Sequence, residues 1–498
     1  MSTPISLPVG FWSLPDPRAS GRSTLNCFAE VSPYGGAQLT AAMDGKQKLP
    51  PALLRRAPGV TQFATDGTSN AVRGAREMLG VWYVVIGPTL YSLTSSGLLS
   101  EIGTGILGTG LVRMADNTAC LTILVPGTAN AWTYCPNGPG FELLTAAGFT
   151  QYGAIDVWYV DTYTCFLATN GRTMFSDDGQ EASGQGQITF NTGSAFAREL
   201  GTDLWVGFGV ANRQLFMAGE RTSEALGNAG NQLGSPFASS PAPFVELGMH
   251  PLGAYTIALL CPSSAPLGGL CFVTNDYRVM FRQTNSLPQR VSNHAVETLL
   301  ASSSLTGCYA MPIDFCGHTF YVLTLPAQQL TLAYDFTTGE WCKLSSLIGG
   351  VWSYWRPTCS FKAFGQQYVG DSQGSGIGQL TETTYTEYGN PIKTEWTTQS
   401  IYDSHNRISH RRVEAVVTAG QSTSLTAGAN ITCYVSDDSG QTYHALPLRN
   451  LGVDGAYTAR AYWMNVGLSR DRTYKFQISD PTPVFAVDMP AELQGGRW

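Results

Sequence analysis

The sequence predicts an all-β protein: a β-propeller of six or seven blades, a C-terminal β-sandwich and an extended N-terminal arm. Three observations carry this. Period-2 alternation dominates, and no 3.6-residue amphipathic stretch runs over three turns. Short apolar runs, each closed by a turn signal, recur at roughly 40 to 56 residues, the interval of four-stranded propeller blades. Composition agrees: only 13% of the 498 residues are charged, and 55 are glycine. Helix surfaces draw on Glu, Lys, Arg and Ala, whereas few charges with many Gly, Thr, Tyr and Val suit pleated strands and tight turns.

The elements follow in order. The first 60 residues hold many Pro and Gly and few alternating runs, which predicts an arm that docks on other parts of the chain or on a neighbouring subunit. The first clear hairpin is Val81–Gly103, broken at Gly87-Pro88 and turning again at Ser96-Gly97, where the chain must reverse at low steric cost. Related units begin at Leu121, Cys165, Gln214, Cys271, Phe320 and Gln367. Asn170-Gly171 between apolar runs is a strong hairpin signal, because a two-residue reversal needs positive φ at both positions. Seven such units place the propeller at residues 61–390. Beyond the boundary at Tyr385–Pro391, residues 391–498 read as the sandwich, with strands at Arg412–Val417, Ile431–Val435, Tyr457–Trp463 and Tyr474–Ile478.

Charge and cysteine usage narrow the function. A net charge of −7 does not suit tight DNA binding by phosphate neutralisation; a mildly acidic wall suits a channel through which DNA slides. Charge depletion also fits a chain that covers much of its surface with other copies. The eleven cysteines form no C-x-x-C and several lie in apolar runs, so they read as small buried hydrophobes in a protein made in a reducing cytosol, not as a disulfide framework or zinc site. No secretory signal opens the chain, and no apolar run reaches the ~18 residues of a spanning helix.

Candidate chemistry resolves to background. Ser436–Tyr443 fits the aspartate box S-x-D-x-G-x-T-[WFY], and Phe175–Gln180 fits it in part. The box occurs in sialidase-type propellers, yet physically it is a side-chain-stapled turn without a catalytic group. A glycosidase needs two carboxylates facing across a sugar site, and Glu220, Glu224, Glu246 and Asp276 are the acids available. A sialidase adds an arginine cluster, for which Arg213, Arg221, Arg278 and Arg282 are open candidates. His250, His294, His318, His405, His410 and His444 form no metal-binding pair, and His405 and His410 flank the densest basic cluster, Arg407, Arg411 and Arg412, which reads as a solvated edge or a subunit contact. No P-loop, G-x-S-x-G elbow or Rossmann turn is present. Catalytic, cofactor-binding and metal residues are therefore assigned to none, and no cofactor is expected.

Several segments resemble the packaged-DNA stabilisation family, the tail-hub or nozzle proteins of short-tailed phages. Ser23-Thr24-Leu25-Asn26-Cys27-Phe28-Ala29-Glu30 resembles the family's opening, with Phe28 in the aromatic place, and Arg56–Val60 resembles the R-x-P-G that follows. Val72-Arg73-Gly74, Val112–Asn117, Phe175-Ser176-Asp177, Ala195–Glu199 with Asp203, Leu215–Glu224 and Gln289–Glu297 continue the likeness in family order, and Tyr457–Arg460 and Gly467–Arg472 extend it. Asn228-Ala229-Gly230 and the stretch Gly374–Gly378 depart from the family pattern.

The resemblance implies a non-enzymatic virion component of the tail, made and assembled in the bacterial host cytoplasm. About six copies would form a closed ring below the portal and head-to-tail adaptor. The ring would continue the DNA channel and help retain, then release, the packaged genome. Its partners would be itself, the adaptor above, a tail needle, plug or receptor-binding tail protein, and, transiently, double-stranded DNA. The competing reading is a sialidase-like propeller that binds or cleaves glycan at the host surface.

Overall fold

The computed structural model describes residues 3–13, 21–31, 52–176, 195–196, 201–231, 235–239, 244–403, 406–422 and 425–495. The chain divides into two compact units. One is built from Gln62–Gln329 and Arg356–Leu380, the other from Met1–Thr61, Leu330–Trp355 and Thr381–Trp498.

The first unit is a ring of seven antiparallel modules. Blade 1 comprises Val72–Met78, Val81–Ile86, Thr89–Leu93 and Leu99–Thr104, and blade 2 comprises Arg113–Asp116, Leu121–Val125, Asn130–Cys135 and Gly140–Leu143. Blades 3, 4 and 5 are four-stranded meanders of the same kind, opening at Ala154–Val160, Trp205–Ala211 and Ala258–Leu260. Module 6 is the hairpin Tyr309–Phe315/His318–Leu325. Module 7 is Pro357–Ala363, Gln366–Asp371 and Ile377–Thr381. The opening strand of each module touches that of the next, and Pro357–Ala363 touches Val72–Met78, so the circle closes.

The seven apolar runs of the sequence are the second strands of the seven modules. These strands lie sandwiched between neighbouring blades and are covered on both faces: every residue of Leu121–Val125 and of Gly269–Val273 is buried. A strand buried on both faces loses alternation and reads as a continuous hydrophobic run. The seams between blades are side-chain cores. Val85, Leu90, Leu121 and Ile123 join blades 1 and 2, and Val84, Ile86, Phe361 and Tyr368 join blades 1 and 7. Rings cross these seams, with centroids 4.8 Å apart for Trp82 and Phe361 and 5.1 Å for Phe216 and Phe272.

The second unit is a sandwich of two sheets. One runs Cys27–Val31, Ala52–Arg56, Phe485–Gly495, Ile408–Val417, Ala461–Ser469, and Thr3–Ile5 also pairs with Phe485–Gly495. The other runs Leu330–Asp335, Glu340–Leu344, Ser23–Leu25, Thr394–Thr397, Asp471–Ile478, Asn430–Ser436, His444–Ala445. Trp463 of the first sheet meets Phe476 of the second at 5.8 Å, and Trp396 stacks on Phe476 at 5.5 Å. Strands from the first 60 residues thus sit in both sheets. Residues 32–51 of the expected arm lie outside the described residues.

One sequence expectation is corrected. Cys120 and Cys135 form a disulfide, with Cα atoms 4.3 Å apart. Leu121 pairs with Tyr134 across the blade 2 hairpin, which sets the cysteines opposite each other one step further along. Pairing across a hairpin leaves no short Cys spacing to read. The other nine are free thiols, six of them buried.

Candidate functional site

The opening strands surround a cavity of about 470 Å³ on the propeller axis, to which all seven modules contribute. Blade 1 supplies Arg73 and Arg76, blade 2 Arg113, blade 3 Asp156, and blade 4 Val210. The approach to blade 5 supplies Tyr255, module 6 Tyr309, and module 7 Thr358. Its charges are already committed. Asp156, 1% exposed, accepts hydrogen bonds from Val157 N at 2.9 Å and Trp158 Nε1 at 3.1 Å, and Arg113 Nε lies 3.4 Å from its Oδ1. Burial raises the Asp156 carboxyl above its ordinary range, against the opposing pull of Arg113 and these donors. The Arg113 guanidinium also covers the Tyr255 ring at 4.9 Å and donates to Ala254 O. Arg76 pairs with Asp116 at 2.8 Å.

Arg73 has no carboxylate. It donates to the carbonyls of Gly110 (2.6 Å), Gly87 (2.8 Å), Leu107 (2.7 Å) and Ile106 (3.3 Å), and burial lowers its pKa to about 10. It clamps the connection from blade 1 to blade 2. In the sandwich unit Arg56 plays the same part, donating to the carbonyls of Asp480, Thr482 and Ile392. Both arginines come from segments that carry the sequence resemblance, and both are structural.

The other motif residues also resolve into local architecture. Asn117 Oδ1 accepts from Ala119 N and Cys120 N, which shapes the turn after Arg113–Asp116. Asp203 accepts from Arg221 N at 2.8 Å and from Thr222 Oγ1 at 2.9 Å; burial works to raise its pKa, but these bonds prevail and lower it. In the Gln289–Glu297 segment, Asn293 caps the helix His294–Ala301 by accepting from Val296 N, and Glu297 takes both Arg290 (2.5–2.6 Å) and Ser292 Oγ (2.5 Å). The side-chain oxygen at the cap supplies the acceptor that the first helical N–H groups lack.

The enzyme candidates do not converge. Glu220, Glu224, Glu246 and Asp276 are all absent from the cavity wall, as are Arg213, Arg221, Arg278 and Arg282. Asp276 is tied to Thr274 and Arg278, and Arg213 to Asp161. Arg282 is buried over the Phe216 ring at 4.7 Å. The aspartate box Ser436–Tyr443 lies in the sandwich unit and is a turn. Asp438 Oδ1 accepts from Ser436 Oγ, Gln441 N and Thr442 N at 2.6–3.0 Å, while Ser439 (φ 62°) and Gly440 (φ 88°) reverse the chain. Those bonds, led by Ser436, hold the Asp438 carboxyl well below its ordinary range. In the partial box, Asp177–Gln180 lie outside the described residues, as do Ala197–Glu199 and His405.

The basic cluster divides by strand alternation. Arg407 and Arg411 are exposed as expected, but His410 faces the core, against the expectation of a solvated edge. Its Nε2 meets Ser469 Oγ at 2.8 Å and its Nδ1 meets Tyr474 OH at 2.7 Å. Among the described residues no group of three or more His, Cys, Asp or Glu is placed to hold a metal ion. No described helix is long and apolar enough to cross a membrane.

Among solved structures, the WD40 β-propeller domain of Doa1 is 11% identical, over 65% of this chain and 97% of that one, with a TM-score of 0.38. BamB from Moraxella catarrhalis is 9% identical, over 77% of this chain and 98% of that one, also with a TM-score of 0.38. No curated protein matches. A family model described as "Bacteriophage P22 Gp10, beta-propeller" matches residues 41–385, well over half of the chain. The chain therefore belongs to that phage-stabilisation family and is a virion protein of a structural, β-propeller kind.

Proposed function

We propose that this protein is a subunit of the tail nozzle: a ring of about six copies below the portal and adaptor that continues the DNA channel, retains the packaged genome and releases it on ejection. The observation that carries the reading is the family match over residues 41–385. The propeller axis supports a lumen that lies between copies. A cavity of about 470 Å³, with the Arg113–Asp156 pair in its wall, has the size of a small-molecule site and not of a duplex. The net charge of −7 would let a polyanion slide instead of adhering. In this reading the propeller stretch 61–390 is the stiff wall, while the arm 1–60 and the sandwich 391–498 reach the adaptor, a needle or plug, and neighbouring copies.

The test is a reconstruction of intact tails with the copy number counted by mass. About six copies around a duplex-wide lumen is the expected result. One copy per tail at a peripheral site, or a purified monomer that cleaves host glycan, would overturn it.

A further inference from the structure

We propose that the outer side of the strand Ala461–Ser469 is the surface on which a second copy of this chain docks; the inference rests on the ring reading above. Ala461–Ser469 is the last strand of its sheet, paired on one side with Ile408–Val417. It is nine residues long and contains no charged residue. Exposed edge strands of monomeric proteins are usually blunted by charge, proline or brevity. Here the outward side chains are Tyr462, Met464 and Leu468, which are 41%, 54% and 60% exposed. Other exposed leucines stand singly, on turns such as Leu79, Leu252 and Leu267 or on strands such as Leu143 and Leu259, whereas these three large apolar side chains follow one strand. Near Tyr462 the edge is capped by the chain itself, since Arg449 Nε donates to Tyr462 O and Trp463 Nε1 to Pro447 O. From Met464 to Leu468 the chain makes one further cap, Arg472 Nη1 donating to Val466 O at 2.8 Å, and leaves the Met464 and Leu468 side chains exposed. Asn465 (φ 55°) and the irregular register between His410 and Arg412 bend that part, so the partner packs against side chains instead of adding a strand.

Charge identifies the occupant. Ile408 pairs with Ser469, which brings Arg407 and Arg470 to one end of the strand, with Arg411 a few residues along. All three are exposed, and none has an ion pair among the described residues. Asp403, in register near Arg470, offsets one of the three charges, and Arg412 and Arg460 are already held by Glu414. An apolar strip with a basic end therefore sits on a chain that carries 36 acidic against 29 basic residues. Another copy of the same acidic, charge-poor chain complements it.

The test places the photoreactive residue p-benzoylphenylalanine at position 464 or 468 of the full chain, assembles it into virions and irradiates them. The expected adduct has twice the 53.5 kDa mass of the chain. Alongside it, Met464→Lys with Leu468→Lys should lower incorporation into particles at least tenfold, with the melting temperature of the free chain unchanged. An adduct to a chain of different mass, or no adduct in tails that hold several copies, overturns the docking surface and leaves the ring standing. One copy per tail overturns both.

Discussion

His410 sits between two hydroxyls, Ser469 on Nε2 and Tyr474 on Nδ1, beside Arg472. Burial and then the nearby guanidinium lower its pKa from 6.5 to about 4. The unfolded chain therefore takes up a proton near pH 6.5 that the folded chain refuses until near pH 4. Stability from this group is complete above about pH 6.5 and is lost as pH falls through that window, by roughly 2–3 kcal/mol. His410→Gln should flatten this limb: between pH 7 and 4.5 its melting temperature should fall less than that of the parent. Equal slopes would show that His410 is not the titrating group. The sequence put His410 among solvated arginines because adjacent letters look alike in charge. Only the facing of the strand separates it from them: Ile408 and His410 point inward in alternation, and after the register shift between His410 and Arg412 the next inward residue is Val413. The carbonyl cages of Arg56 and Arg73 were equally hidden, since a backbone acceptor leaves no mark on the residue that supplies it.

At the scale of the element, the second strands of the modules were legible because burial on both faces turns them into unbroken apolar runs. The opening strands were not, since each is half-packed and faces a cavity of mixed polarity. The strands at 3–5, 23–25 and 444–445 are too short to carry a period. The disulfide illustrates the same limit: two cysteines 15 residues apart become neighbours only once the hairpin register is known. In the air-exposed, denatured protein, thiol titration should count nine groups, rising to eleven after reduction. Closing a 15-residue loop is worth on the order of 3 kcal/mol, so Cys120→Ser with Cys135→Ser should lower the urea midpoint under oxidising conditions. Eleven thiols without reduction would remove the bridge.

For the whole molecule, two compact units with separate cores predict unfolding that is not two-state. Calorimetry should give a van 't Hoff enthalpy below the calorimetric one. Arg73→Met, which strips the donors from the Gly87, Leu107 and Gly110 carbonyls, should destabilise the propeller transition by on the order of 3 kcal/mol and leave the sandwich transition in place. A single transition shifted as one would refute the separation. The closed circle of modules has a mechanical consequence as well. Its backbone ladders run within the blades, whereas the blades meet one another through apolar seams such as Val84, Ile86 and Phe361, pinned by a few polar links such as Arg76–Asp116 and Thr358 Oγ1 to Val72 O. Such seams resist being squeezed far better than being parted, because close-packed side chains have little room to yield while dispersion contacts fade within an ångström. The ring behaves like the stones of an arch: inward load tightens every joint, and outward load finds its limit at the weakest seam.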